Sequence, residues 1–160
     1  MSWSIVEFDK SYNRNNFNCG EEVLDQYLKK QMSQDLKRKA NVPMLAVDDI
    51  NKVIGYYTLS SGHVEFQNFP VKLKSKIAPY PVPIARVGRL AVDSSMKGQG
   101  LGEELLMHAI DRAEQVSKLM GIRAVVVDAK NENAENFYKK YGFEYLQNRA
   151  GGRKTLFLVI

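Results

Sequence analysis

Gly98, Gly100 and Gly102 stand at alternating positions just after the run Arg89-Leu90-Ala91-Val92-Asp93 and just before Leu105, Leu106, Ala109, Ile110 and Ala113. The apolar run has the make-up of a buried strand, and the later residues recur at the spacing of one helix face. A strand, a glycine turn and a helix entrance together form an anion trap. Glycines carry no Cβ, so successive backbone N–H groups can crowd one phosphate with the positive end of the helix dipole behind them. A phosphorylated cofactor is expected there, and the spacing narrows its kind. A Walker loop requires Gly-x-x-x-x-Gly-Lys-Ser/Thr, and no lysine followed by a hydroxyl residue stands at the right distance. The dinucleotide fingerprint Gly-x-Gly-x-x-Gly, counted from Gly98, puts Glu103 where its last glycine belongs.

A second chemical constellation lies downstream. Ala124-Val125-Val126-Val127-Asp128-Ala129 reads as a central strand buried on both faces. It leads into Asn131, Ala134, Phe137, Tyr138 and Tyr141, with Gly142 placed to cap the short helix on which the last four share a face. The segment Lys97–Gly102, after a strand ending Leu-Ala-Val-Asp, resembles the pyrophosphate loop of the GNAT superfamily of acetyl-CoA-dependent N-acetyltransferases. The pattern Asn-x-x-Ala-x-x-Phe-Tyr-x-x-x-Gly-Phe resembles the second half of the same core. The family usually has arginine or glutamine where this chain has Lys97, and a lysine keeps the charge but loses the fork geometry. Alone, Phe137 reads as an aromatic core residue; the resemblance singles out Tyr138 as the catalytic one.

The elements that must position these residues follow from the rest of the 160-residue chain, which reads as a single N-acetyltransferase domain over residues 1–160. Trp3 to Phe8 is expected as an opening strand. Asn18 with Glu21 suggests a capping box ahead of a helix whose apolar stripe is Leu24, Tyr27, Leu28, Met32 and Leu36. Met44–Val47 and Val53–Leu59 read as strands joined by a turn at residues 48–51. Residues 61–83, punctuated by four prolines, read as an irregular segment of the kind that lines binding sites. A strand from Arg86, a helix to about Met120 closed by Gly121, and a last strand from Thr155 to Ile160 complete the order. That order is mixed α/β (α+β), consistent with a central mixed twisted sheet carrying helices on both faces, which is the GNAT fold the resemblance implies.

Composition limits the rest. With 44% hydrophobic and 26% charged residues the chain is an ordinary globular protein. No apolar run approaches the ~18 residues of a membrane span, and no cleavable signal pattern opens it. Cys19 is the only cysteine, so an internal disulfide is ruled out and a cytoplasmic protein is expected. Cys19 reads as packed, His63 and His108 receive no role, and no metal site is expected. The net charge of +5 is concentrated in Lys29, Lys30, Lys37, Arg38 and Lys39, in Lys72, Lys74 and Lys76, and in Arg149, Arg153 and Lys154. One such cluster is ordinarily a solvated face; three in a small domain point towards a polyanionic partner.

The resemblance assigns site residues. Leu90, Ala91 and Val92 lie on the strand whose main chain would hold the pantetheine of acetyl-CoA, where two central strands part. Lys97, Gly98, Gln99, Gly100, Leu101 and Gly102 form the pyrophosphate loop. Asn131 matches an asparagine that contacts coenzyme A, and Tyr138 matches the general acid to the departing sulfur. No carboxylate is marked by spacing as a general base. A lysine amine, with a pKa of ~10.4, is almost wholly protonated at neutral pH, whereas an α-amine near ~8 is not. A positively charged cleft lowers an amine's pKa further. An α-amine carried on a polyanion, as in aminoacyl-tRNA, therefore suits a basic and base-poor site.

Phe17-Asn18-Cys19-Gly20, Leu24-Asp25-Gln26-Tyr27-Leu28, Gly55 to Ser60, Tyr80-Pro81-Val82-Pro83 and Gly88 to Asp93 resemble a GNAT subgroup of toxin–antitoxin toxins. That likeness implies acetylation of aminoacyl-tRNA, a block to translation, neutralisation by a ribbon-helix-helix antitoxin, and a homodimer. Lys29, Lys30, Arg38, Arg86 and Arg89 are the candidate tRNA contacts, with a surface or salt-bridge role as the plainer reading of Arg89. Two other readings stay open. One is a general acetyltransferase acting on a protein N-terminus or small amine; the other is a non-catalytic coenzyme A-binding module.

Overall fold

A computed structural model describes residues 2–147 and 154–160. Arg149 and Arg153 of the third basic cluster lie outside the described residues. The chain runs β1 (Trp3–Glu7), α1 (Glu22–Gln26), a π-helical turn (Tyr27–Gln31), α2 (Met32–Lys37), β2 (Val42–Asp48) and β3 (Val53–Val64). Short 3-10 turns at Phe66–Asn68 and Val71–Leu73 lead to β4 (Val82–Val92), and a third at Ser94–Met96 leads to α3 (Leu101–Val116). β5 (Ala124–Ala129), α4 (Glu132–Lys140), β6 (Glu144–Tyr145) and β7 (Lys154–Val159) complete it.

The strands form one mixed sheet of order β1-β2-β3-β4-β5-β7-β6. β1 pairs antiparallel with β2, and β2 pairs antiparallel with β3 across the short turn that joins them. β4 pairs in parallel with β5, from Ile84↔Ala124 to Val87↔Val127, which requires a crossover connection, and α3 lies in that connection. β7 pairs antiparallel with both β5 and β6. At the β2–β3 turn the Asp48 carboxylate accepts from the Ile50 and Lys52 amides, and Asn51 takes φ 61°, a conformation its short polar side chain tolerates.

Two compact units divide the chain, Met1–Ser60 with Gly88–Ile110 and Ser61–Val87 with Asp111–Ile160. The first is organised around Phe17, Tyr27, Leu28, Met32, Leu45 and Tyr56. The second is organised around Phe69, Ile77, Ile84, Ala124, Val126 and Phe157, with Phe69 edge-on to Phe157 at 5.0 Å between centroids.

Several element boundaries differ from those expected. The first helix has no capping box: Asn18 Oδ1 accepts from the Gly20 amide, Glu21 occupies the N-cap without a side-chain bond, and Asp25 reaches back to the Cys19 amide. Residues 61–83 are more regular than their prolines suggest. β3 continues to Val64 and β4 begins at Val82 rather than Arg86, because Pro83 has an extended-compatible φ and sits near the strand's start, where a missing donor is tolerated. α3 stops at Val116, not near Met120; Ser117 Oγ donates to the Glu114 carbonyl, and residues 117–120 close in turns. The β4, β5 and α4 cores of the two motifs, and the apolar stripe from Leu24 to Leu36, are where the pattern places them.

Candidate active site

The first unit holds the glycine turn. Gly98 and Gly100 have φ of 80° and 85°, values that other residues adopt only with strain. A Cβ at either position would meet no heavy atom within 4 Å, so the open side of the turn is clear for a ligand. Gly102 lies inside α3. The Glu104 amide donates to the Gly100 carbonyl; the amides of Leu101, Gly102 and Glu103 precede that bond in the helix's first turn, where backbone donors lack intrahelical partners. These are the groups an anion needs. Glu103 and Glu104 also lie in this turn, and Glu104 accepts from the Trp3 indole.

Asp93, whose place in the sequence marks only the end of a strand, organises the turn. It is buried, its Oδ2 accepts from the Asn18 amide at 3.0 Å, and its Oδ1 accepts from the Ser95 amide at 3.0 Å and hydroxyl at 2.7 Å. Burial works to raise its pKa, yet these donors together hold the carboxyl below its ordinary value. The Ser94 amide returns a bond to the Asn18 carbonyl at 2.8 Å, and Lys97 Nζ donates to the Cys19 carbonyl at 2.9 Å. The ammonium of Lys97 is therefore tied to the Asn18–Gly20 turn, with its remaining protons available to an anion. On β4, Ala91 packs its side chain into the core while Leu90 and Val92 are half-buried. Gly55 permits this packing: a Cβ there would sit 3.1 Å from the Ala91 carbonyl and 3.0 Å from Leu105.

Four of the five candidate acceptor contacts belong to this unit. Lys29 and Lys30 sit in the π-helical turn, and Lys29 lines an open polar cavity of about 420 Å³ with Asn15, Asn16, Asn18 and Gln26. Arg38 is exposed at the end of α2. Arg89 lies over the Tyr27 ring, its guanidinium carbon 3.6 Å from the centroid, close enough for stacking. Cys19 is buried, its thiol donating to the Glu21 carbonyl.

The second unit holds Asn131, Tyr138 and Arg86. Asn131 caps α4, its Oδ1 accepting from the Ala134 amide at 2.8 Å, so its NH2 is the donor it can offer a cofactor. Tyr138 is 8% exposed and packs against Phe137 and Phe143. Burial first, and the nearby Asp128 charge second, push its phenol up to about 12. Arg86 is paired with Asp128 at 3.1 Å, and the other oxygen of that carboxylate accepts from Thr155. Glu135 on α4 is buried; its pKa is lowered chiefly by the Tyr145 hydroxyl and then by the Lys154 ammonium, contacts that fasten the helix. Among the described residues no helix is long and apolar enough to cross a membrane.

Residues 5–143 match the model of the acetyltransferase (GNAT) family. The chain is 36% identical over 128 residues to a tRNA-acetylating toxin of Mycobacterium tuberculosis, covering 80% of this chain and 76% of that one. Among solved structures it resembles AtaT complexed with acetyl-methionyl-tRNAfMet, with a TM-score of 0.90, 31% identity, and 99% and 95% of the two chains covered. It also resembles a tyrosine-to-phenylalanine variant of AtaT bound to the C-terminus of the antitoxin AtaR and acetyl-CoA, with a TM-score of 0.81, 29% identity, and 98% and 92% coverage.

Proposed function

The chain belongs to the acetyltransferase (GNAT) family, and on that premise we propose that it transfers an acetyl group from acetyl-CoA to the α-amine of aminoacyl-tRNA, as the translation-blocking toxin of a toxin–antitoxin pair. The observation that carries this reading is a likeness spanning 99% of the chain to a toxin solved with its acetylated tRNA. A net charge of +5, much of it in Lys29, Lys30, Lys37, Arg38 and Lys39, suits a phosphate-rich acceptor.

The residues present fit the donor. The clear space over Gly98 and Gly100, with the leading amides of α3, suits a pyrophosphate. In this reading Gln99, Gly100, Leu101 and Gly102 offer it their N–H groups, Lys97 adds charge, and Asn131 adds an amide donor. Leu90 and Val92 hold the pantetheine through main-chain atoms alongside Ala91. Acetyl-CoA supplies an activated acyl group, as a thioester. Tyr138 Oη keeps its proton across the working pH range and offers it as a hydrogen bond to the departing sulfur. A thiol near ~8.5 is too weak a base to take that proton fully, so donation to a developing thiolate is the better description. An acceptor α-amine near ~8 is partly neutral without a dedicated base. Lys29, Lys30, Arg38, Arg86 and Arg89 serve as acceptor contacts, with Arg86 the weakest because Asp128 already engages it.

The reading extends to a ribbon-helix-helix antitoxin, a homodimer, cytoplasmic residence, and a single acetyltransferase domain over residues 1–160. Labelled acetyl-CoA incubated with the protein and charged tRNA, uncharged tRNA, free amino acids and peptides tests it. Label is expected on charged tRNA alone; label confined to peptides or free amines overturns the acceptor assignment.

A further inference from the structure

Arg89 occupies an unusual setting. It is half-buried, yet among the described residues its side chain has no hydrogen bond or ion pair, and its guanidinium lies over the face of Tyr27. Stacking uses the flat of a guanidinium and leaves its in-plane N–H donors to be satisfied by something else. The platform beneath it is rigid. Tyr27 is 7% exposed and stacks on Tyr56, with centroids 6.4 Å apart and planes at 21°. Its hydroxyl donates to Asp35 Oδ2 at 2.8 Å and accepts from Asn41 Nδ2 at 2.8 Å. Gln31 binds the other Asp35 oxygen at 3.1 Å, so the carboxylate whose charge reaches Arg89 is held by Tyr27 and Gln31.

The π-helical turn makes this clamp possible. The Met32 amide bonds to the Tyr27 carbonyl, five residues back. In a plain α-helix, residues eight apart diverge by about 80° around the axis; one extra residue in a turn cuts that to about 20°. Tyr27 and Asp35 therefore share a face because of the wider turn. Arg89 itself is the residue before Leu90 on β4.

We propose that Tyr27 is a positioning residue that presents the edge of Arg89 to a phosphate oxygen in the single-stranded end of the acceptor nucleic acid. This rests on the acceptor reading above. The guanidinium's plane is set by the ring, and its donors are matched to an oxyanion in the manner that favours arginine over lysine.

The test has two arms. In the first, the Arg89 Nε–Hε resonance is followed while a 5′-phosphorylated CCA trinucleotide is titrated in. It is expected to move in the wild type and in Tyr27→Phe, which keeps the ring, but not in Tyr27→Leu. In the second, steady-state kinetics on charged tRNA should show KM raised about tenfold by Tyr27→Leu, with KM for acetyl-CoA changed less than about twofold. Arg89→Ala should add little to Tyr27→Leu, since the two act as a unit. An unmoved wild-type resonance overturns the proposal even if charged tRNA is acetylated. Multiplying losses in the double variant, or equal damage to both KM values, overturn it as well. A resonance that moves in a protein unable to acetylate tRNA instead defeats the acceptor reading and leaves the anion seat standing.

Discussion

At the scale of single residues, the useful contrast is between Tyr138 and Asn131. Both were marked by one motif, yet the structure treats them differently. Asn131 spends its side-chain oxygen on the helix it begins, so its larger role is to place the next turn. Tyr138 makes no hydrogen bond from its hydroxyl among the described residues and is pushed up to about 12 by burial and by Asp128. Tyr138→Phe is expected to lower kcat about 100-fold, within the range for a lost general acid, while leaving KM for acetyl-CoA within about threefold. The pH profile of kcat/KM in the wild type should rise with deprotonation of the acceptor amine near ~8 and show no falling limb before about pH 11. A fall between pH 8 and 10 that disappears in Tyr138→Phe would assign the phenol a lower pKa and a different part in the reaction.

At the scale of elements, the strand–turn–helix unit depends on a carboxylate inside the protein as much as on the glycines facing out of it. Asp93 ties the start of the turn to Asn18 and Ser95, and Lys97 ties its middle to Cys19. Asp93→Ala leaves two partly buried amides without acceptors, at a cost of roughly 1–3 kcal/mol each. Urea unfolding should show a loss of about 2–6 kcal/mol, and calorimetry a weaker affinity for acetyl-CoA, because the turn is no longer preformed. Unchanged affinity in a folded variant would separate Asp93 from the cofactor site. The glycine turn was legible from spacing because positive φ restricts residue choice. The Asp93 network was not, since Asn18 and Asp93 are 75 positions apart and nothing local announces their bond. The missing capping box has the same origin. Asn18 and Glu21 have the right spacing, but the Asn18 side-chain oxygen accepts from the Gly20 amide and the Asn18 amide donates to Asp93, so both Asn18 groups a box would use are taken.

At the scale of the whole molecule, the two compact units each bury a tyrosine whose ionisation opposes folding. Burial raises Tyr56 in the first and Tyr138 in the second. In each case the folded pKa exceeds the unfolded ~10, so the native state binds more protons and stability is fully present below pH 10. It should then decline as pH rises, by up to about 1.4 kcal/mol per pH unit for each phenol until its folded pKa is reached. Urea midpoints should fall between pH 9 and 11, and Tyr138→Phe should flatten part of that fall; a flat wild-type profile would contradict the burial argument. The 160-residue sequence was enough to determine the order of strands and helices around the two motifs, the glycines that demand positive φ, and the family. Those features rest on local backbone sterics and on hydrophobic period, both of which are written along the chain. Only the tertiary structure decided that Asp93 organises the turn, that Lys97 is tethered to Cys19, that Arg86 is occupied by Asp128, and that Arg89 lies on Tyr27. Such pairings join residues distant in sequence, or hang on one extra residue in a helical turn, and are settled by which partners packing brings within about 3 Å.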